Sequence, residues 1–327
     1  MRFRHVAFCT LAVLLLTMIA CGNPQEEARI KLGQMNVPFN EETFIERAKE
    51  GDILAVKLFL AAGMKPGVAN KKGEIPLVVA ARFKRPEVVQ ALLANGADVN
   101  AKDKMLGATP LIFAALNGDE DLVKLFLDKG ADLKAKEDRN GMNALITATL
   151  KGKTGTVKLL LEKGADIASK DKDGRTVLMW AAHHGQLDTV KFLVDKGADL
   201  KARDDKDGMT VLLSAVSTGK TEVVKLLLVK GLDANDKDKK GTTALMWAVR
   251  SGQPELVKVL LEKGADVNAK NKEGVNALSV AKTTKKLAMQ EILLKAGATP
   301  GEEAKPKGGE APKPPAKPQP PPKKDRV

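Results

Sequence analysis

The stretch Glu162-Lys163-Gly164-Ala165-Asp166 decides the fold, because close copies of it recur along most of the 327-residue chain. The glycine of each copy falls at 63, 96, 130, 164, 197, 231, 264 and 297, so consecutive copies are 33 or 34 residues apart. A fixed period of about 20 to 50 residues is typical of repeat proteins, in which stacked neighbours bury the apolar faces that no single repeat buries alone. The period therefore predicts one repeat body with appendages at its ends.

Each repeat combines a helical segment of constant length with a loop of variable length. Phe44 opens the first helix of the first repeat and a leucine opens each of the others, and the repeated glycine always follows 19 residues later. An insertion in a helix would rotate its apolar face out of the stack, whereas a loop tolerates one. Thr109 and Pro110 suit the cap and first turn of a helix, and Gly164 suits a left-handed C-terminal cap.

Two motifs carry a resemblance to a known family. The segments Thr109-Pro110-Leu111-Ile112-Phe113-Ala114 and Thr243-Ala244-Leu245-Met246-Trp247-Ala248 match Thr-Pro-Leu-His-x-Ala, and Gly-Ala-Asp-Val-Asn-Ala occurs at 96–101 and 264–269. Over about four-fifths of its length the chain resembles ankyrin-repeat proteins. The resemblance implies an all-α ankyrin-repeat solenoid of about eight helix-turn-helix units with β-hairpin-like fingers. The motif's histidine is replaced in every unit, so we expect apolar packing where the family has hydrogen-bonded bridging.

Residues 1–20 are predicted to be a signal peptide. A basic start containing Arg2 and Arg4 precedes an apolar run that is too short to span a bilayer comfortably. The segment Met18-Ile19-Ala20-Cys21 resembles a bacterial lipobox, which implies cleavage before Cys21 and acylation of that residue. An ordinary secretory signal with an incidental cysteine is the alternative.

The remaining boundaries follow from composition. We predict a lipidated N-terminus and polar tether at 21–40, repeats at 41–299 with the end units acting as polar caps, and a disordered Pro/Lys-rich tail at 300–327. A spacer or cell-wall contact is the alternative for the tail. Gly22 follows the cysteine where an aspartate would favour the inner membrane, so the expected location is the periplasm-facing cell envelope, with the outer membrane preferred.

The formal net charge of +13 is dispersed along the chain. Much of it comes from lysines on the second helices, as in Val157-Lys158-Leu159-Leu160-Leu161-Glu162-Lys163. Such lysines are typical of a solvated helix face rather than a phosphate-binding one. We therefore do not expect nucleic acid as a partner.

The sequence shows no catalytic constellation, metal-ligand set or cofactor motif, so we do not expect an enzyme. His183 and His184 are interpreted as exposed residues at a helix end, because neighbours on a helix diverge by about 100°. Asp171-Lys172-Asp173 and Asp204-Asp205-Lys206-Asp207 are interpreted as solvated loop tips rather than calcium sites. Trp180 and Trp247 are interpreted as packing residues, with partner anchoring as the alternative.

Binding is expected at the positions that vary between repeats. The family resemblance implies that the loop tips and the inner face of the first helices contact partners. The predicted partner-binding residues are Met105, Leu106, Leu116, Met142, Leu150, Arg175, His183, Met209 and Arg250. Contiguous exposed apolar side chains mark interaction sites; the alternative is that Leu116 and Leu150 pack between repeats.

These observations predict a monomeric, lipid-anchored interaction module that binds an unidentified envelope protein through its concave face. An immunity or inhibitor protein directed against an exported enzyme is a specialised version of this function. A structural scaffold of the envelope, with the Lys/Pro tail contacting anionic material, is the other alternative.

Overall fold

A computed structural model describes residues 23–301. The predicted signal peptide, the predicted lipid attachment residue Cys21 and residues 302–327 of the predicted tail lie outside the described residues. No helix within the described range combines the length and the apolar character that a membrane span requires.

The described residues form seventeen α-helices. Helix α1 (Pro24–Gln34) comes first, and the other sixteen follow as pairs of a first and a second helix. The first helices are α2 (Glu41–Glu50), α4 (Pro76–Arg82), α6 (Pro110–Asn117), α8 (Ala144–Leu150), α10 (Val177–His184), α12 (Val211–Ser217), α14 (Ala244–Ser251) and α16 (Ala277–Thr283). The second helices are α3 (Ile53–Ala61), α5 (Pro86–Ala94), α7 (Glu120–Asp128), α9 (Thr154–Glu162), α11 (Leu187–Asp195), α13 (Thr221–Val229), α15 (Pro254–Glu262) and α17 (Leu287–Lys295).

The helices are grouped into two compact units, whose boundary lies between Ala215 and Val216 within α12. In the first unit, the first helices α2, α4, α6, α8 and α10 each pack against the next one in this order. The second helices pack in a parallel layer, with α3 on α5 and α7 on α9. In the second unit α14 packs on α16, and α13, α15 and α17 pack in sequence. Each unit is therefore a two-layer stack of helix pairs, which confirms the predicted all-α repeat fold.

The helix boundaries follow local chemistry. The Thr109 hydroxyl accepts a hydrogen bond from the N–H of Ile112 at 3.4 Å, so the predicted N-terminal cap is confirmed. Gly164 adopts a φ of 93°, in the left-handed region, as predicted for the end of a second helix. Lys84 and Lys285 stand where other repeats have glycine at the end of the first helix, and they adopt φ values of 56° and 55°. The repeat geometry therefore imposes a left-handed turn even on side chains that disfavour it.

An aliphatic core lies between the two helix layers. The residues predicted to open the first helices lie within their first turn and are at most 1% exposed: Phe44, Leu77, Leu111, Leu145, Leu178, Leu212, Leu245 and Leu278. The positions of the family's histidine are also buried, in Val78, Ile112, Ile146, Met179, Leu213, Met246 and Ser279. Six of these seven side chains are apolar, so apolar packing takes the place of the family's hydrogen-bonded bridging at these positions, as expected.

Helix α1 was not predicted. Residues 21–40 were expected to form a polar tether, but α1 packs against α3 and buries Ala28 and Leu32. The Asn23 side chain caps the helix by accepting from the N–H of Gln25 at 3.1 Å. The tether prediction is wrong for this segment because burial against α3 stabilises a helix whose own sequence is largely polar.

The chain between α1 and α2 strengthens this attachment. The Phe39 ring stacks on Phe59 of α3 with 5.5 Å between ring centroids, and the Arg29 guanidinium lies 4.9 Å from the Phe39 ring. Helix α1 and this segment therefore cover the second helix of the first repeat, which would otherwise present apolar surface to water.

Substitution of Leu32 tests whether α1 is part of the folded body. Leu32 is 1% exposed, so Leu32→Ala should lower the free energy of unfolding by about 2–4 kcal/mol. Ile30→Ala is the matched control, because Ile30 lies on the same helix but is 49% exposed; it should change the value by less than about 0.5 kcal/mol. Urea unfolding followed by circular dichroism measures both. Equal effects of the two substitutions would show that α1 does not dock.

Candidate functional site

A buried or half-buried polar side chain organises the loop that precedes each first helix from α4 to α16. We call each of these loops a finger. Asp171 is 8% exposed, and its Oδ1 accepts hydrogen bonds from the backbone N–H groups of Asp173 and Arg175 at 3.0 and 2.9 Å. Equivalent acceptors occur at Asn70, Asp103, Glu137, Asp204, Asp238 and Asn271. The interpretation of Asp171 and Asp204 as solvated residues is therefore wrong, since both carboxylates are buried acceptors for backbone donors.

Backbone hydrogen bonds join successive fingers. In the first unit Lys104 donates to the Gly73 carbonyl at 3.2 Å, and Lys172 donates to Asn140 at 2.9 Å. Three fingers are closed by single antiparallel bridges, between Lys170 and Thr176, Arg203 and Thr210, and Lys237 and Thr243. No β-strand is present in the described part of the chain. The fingers are therefore held in fixed positions without a sheet.

Trp180 belongs to the interior of its finger. It is 5% exposed, and its Nε1–H donates to Asp171 Oδ2 at 3.0 Å. Burial raises the pKa of the Asp171 carboxyl above its ordinary value, although hydrogen bonds from Arg175 and Trp180 and the Arg175 charge oppose the rise. Trp247 is half-buried and donates to Asp238 Oδ2 at 3.3 Å in the second unit. The contacts support the packing interpretation of both tryptophans.

The predicted site residues on the first helices of the first unit remain accessible. Leu116 on α6 and Leu150 on α8 are half-buried, although the residues before them in each helix are buried. They occupy equivalent positions on helices that pack against each other. Arg82 on α4 and His183 on α10 occupy the same position and are also half-buried. We call Arg82, Leu116, Leu150 and His183 the first-helix row.

The predicted residues on the fingers differ in exposure. Met105 is 51% exposed, whereas Leu106 and Met209 are half-buried. Met142 is only 8% exposed, so the prediction that its side chain faces a partner is wrong. Met142 closes its finger, because its N–H donates to Glu137 Oε1 at 3.1 Å and its carbonyl accepts from the Glu137 N–H at 3.0 Å.

Arg175 connects its finger to the next one. Its guanidinium lies 5.4 Å from the Trp180 ring, with Nη2 3.4 Å from Asp173 Oδ2 and Nε 3.7 Å from the buried Asp204 Oδ2. The His183 ring lies edge-on to Trp180 at 6.1 Å. The structure thus brings Arg175 and His183 together around Trp180.

Arg250 lies in the second unit. It is exposed, and its guanidinium is 5.3 Å from the Trp247 ring. Arg82 was absent from the predicted site, although it stands five residues after an opening leucine, as Leu116 does. Its guanidinium lies 5.6 Å from the Phe83 ring and 5.8 Å from the Phe113 ring. The repeat register was the signal that could have identified it.

This surface combines apolar and basic side chains. Within residues 23–301 there is no group of three or more His, Cys, Asp or Glu side chains that could hold a metal ion. The first-helix row instead offers apolar side chains between a guanidinium and an imidazole, on helices fixed by the core beneath them.

Comparison with protein families identifies the repeats. The family model described as "Ankyrin repeats (3 copies)" matches residues 44–137, 111–204 and 202–271. Together these matches extend from 44 to 271, well over half of the chain. A comparison with curated proteins found no significant match.

The raised pKa of Asp171 predicts a pH dependence of stability. A raised folded-state pKa means that the contribution of Asp171 is fully present below its unfolded-state pKa and is lost as pH rises through the folded-state value. Asp171→Asn removes this titration but keeps an oxygen for the backbone donors, as Asn70 and Asn271 do. The stability of this variant relative to the native chain should therefore increase as the pH rises above about 4, the ordinary pKa of an aspartate.

Urea unfolding at several pH values measures this difference. Asp121→Asn is the control, because the Asp121 side chain is 98% exposed. Its stability relative to the native chain should not rise with pH as that of Asp171→Asn does. A constant difference for Asp171→Asn across the range would contradict the assigned effect of burial.

Proposed function

Because this chain belongs to the ankyrin-repeat family, we propose that it is a membrane-anchored interaction module that binds a protein of the bacterial envelope. The contact surface is the concave face that the first helices and fingers of the first unit present. Ankyrin repeats are protein–protein interaction modules, and the proposal adds the surface, the location and the anchor.

The single observation that carries the proposal is the partial exposure of Leu116 and Leu150. Residues 110–115 of α6 and residues 144–149 of α8 are all buried. The leucine that follows each buried run could therefore have been buried too, but it is partly exposed. Both leucines remain accessible on adjacent helices, and Met105 adds an exposed apolar side chain on a finger. Neighbouring exposed apolar groups favour a protein partner over a purely solvated face.

The supporting structure is suited to rigid recognition. Buried side-chain oxygens such as Asp103 Oδ1 hold the finger backbones, and backbone hydrogen bonds join successive fingers. A surface that is ordered before it binds loses less conformational entropy on association. The two leucines are therefore presented at fixed positions.

The anchor rests on the lipobox-like sequence that ends at Cys21. Helix α1 begins at Pro24 and packs on the first repeat. Three residues extend at most about 11 Å, so an acyl chain on Cys21 would hold the first repeat close to the bilayer surface. The partner is accordingly expected to be a protein exposed at the same membrane.

Substitution of the two leucines tests the contact surface. Leu116→Glu combined with Leu150→Glu should reduce capture of the crosslinked partner from envelope preparations by about tenfold or more, because a partner would have to desolvate two carboxylates. Val229→Glu is the matched control, since Val229 is 73% exposed and lies on a second helix of the other unit.

Quantitative mass spectrometry of the captured material, with circular dichroism to verify folding, gives the readout. Equal capture by the double variant and the native chain would contradict the proposed surface. The identity of the captured protein also shows whether it is an exported enzyme, as the inhibitor alternative requires.

Metabolic labelling tests the anchor separately. A fatty-acid analogue should label the native chain, and Cys21→Ser should abolish the label and release the protein from the membrane fraction, because the acceptor residue is lost. Fluorescence of the labelled band and fractionation measure the two effects. Equal labelling of both chains would refute acylation at Cys21.

A further inference from the structure

The first-helix row lies on four helices that carry no acidic residue. Helices α4, α6, α8 and α10 have the sequences PLVVAAR, PLIFAALN, ALITATL and VLMWAAHH, which contain no acidic residue. Their ionisable side chains are Arg82 at one end of the row and His183 and His184 at the other. By contrast, α2 of the first repeat carries four glutamates. The row is therefore apolar in its middle and basic at its ends.

Arg82 lies near two aromatic rings and has no carboxylate partner among the described residues. Its guanidinium lies within 6 Å of the Phe83 and Phe113 rings, and none of the described carboxylates is within ion-pair distance of it. Two other guanidinium groups of the same unit do pair with a carboxylate: Arg47 with Glu50 at 2.7 Å, and Arg175 with Asp173 at 3.4 Å. A planar guanidinium presents its N–H donors in a fixed fork that suits bidentate contact with a carboxylate.

The acidic residues of the neighbouring fingers are engaged. Glu74 accepts from Asn70 Nδ2 at 2.8 Å, and Asp138 lies 3.9 Å from Lys102 Nζ. Asp173 pairs with Arg175 at 3.4 Å. These contacts hold the three carboxylates within the fingers, and none of them forms an ion pair with Arg82.

From these observations we infer that the partner of the first-helix row is an acidic and apolar polypeptide segment. One carboxylate of this segment pairs with Arg82, and two apolar side chains contact Leu116 and Leu150. The inference rests on the proposed function and specifies the chemistry of its partner. Charge complementarity is the basis for assigning this occupant.

The repeat spacing gives the expected pattern of the segment. Packed helices lie about 10 Å apart, and an extended chain advances about 3.3 Å per residue. One position of the row therefore corresponds to about three residues of an extended segment. An Asp or Glu three residues from one apolar residue and six residues from the next would match Arg82, Leu116 and Leu150.

Selection from a phage library of random dodecapeptides tests the inference with a defined probe. The native full-length chain should enrich Asp or Glu over Lys or Arg, with apolar residues at the spacing given above. Arg82→Ala should reduce affinity for the selected peptides by about tenfold and remove the acidic preference. Arg82→Lys should recover only part of the affinity, because a lysine cannot make the bidentate contact.

Arg29→Ala is the control, since the Arg29 guanidinium also lies near an aromatic ring but belongs to α1, outside the first-helix row. Fluorescence anisotropy of the selected peptides should be unchanged with this variant. Selection of basic peptides, lack of any enriched sequence or an unchanged affinity of Arg82→Ala would each overturn the inference. None of these results would affect the capture experiment with Leu116 and Leu150, which tests the proposed function. The two experiments therefore distinguish failure of the proposed function from failure of this inference.

Discussion

The repeat geometry depends on the hydrogen bonds that a side-chain oxygen at the base of each finger accepts from backbone N–H groups. A loop of variable length would ordinarily deliver the next helix in a variable position. Asp171 prevents this by holding the N–H groups of Asp173 and Arg175, while its second oxygen accepts from Trp180. Because the loop is closed by its own side chain, the following helix begins at the same place whether the loop has one residue more or fewer. The constant helical segment and the variable loop are thereby compatible in one stack.

This interaction explains which features the sequence could reveal. Helix pairs repeat because opening residues such as Leu111 and Leu145 must be buried, and periodic burial leaves a periodic sequence. Whether a loop side chain is buried or exposed does not produce a periodic pattern in the sequence. Met142 follows its loop glycine as Met209 does, yet Met142 is buried and Met209 is half-buried. Likewise, the alternating charges around Asp171 predicted that its side chain is solvated. The prediction failed because Asp171 accepts hydrogen bonds from backbone N–H groups, which a residue pattern does not reveal.

Helix α1 illustrates a second limit of sequence reasoning. Its buried face consists of Ala28 and Leu32, too few residues to define an amphipathic pattern, and the surface that stabilises it belongs to α3. Terminal repeats require a cover for the apolar face that lacks a neighbour. Here the cover comes partly from a segment whose polarity indicated a tether. The consequence is functional as well as structural, because a docked helix replaces a flexible connection and restricts how far the first unit could lie from an anchored Cys21.

The overall charge and the local surface contribute differently to recognition. A net charge of +13 attracts any anionic molecule, and its long-range effect is mainly on the rate of encounter and weakens with salt. Leu116 and Leu150 add a condition that a phosphate backbone does not meet, because they gain free energy only against apolar surface. In the proposed complex Arg82 would add a directional contact from a guanidinium that lies near two aromatic rings. Dispersed lysines would thus accelerate association with an acidic protein, whereas the first-helix row would determine how long the complex lasts.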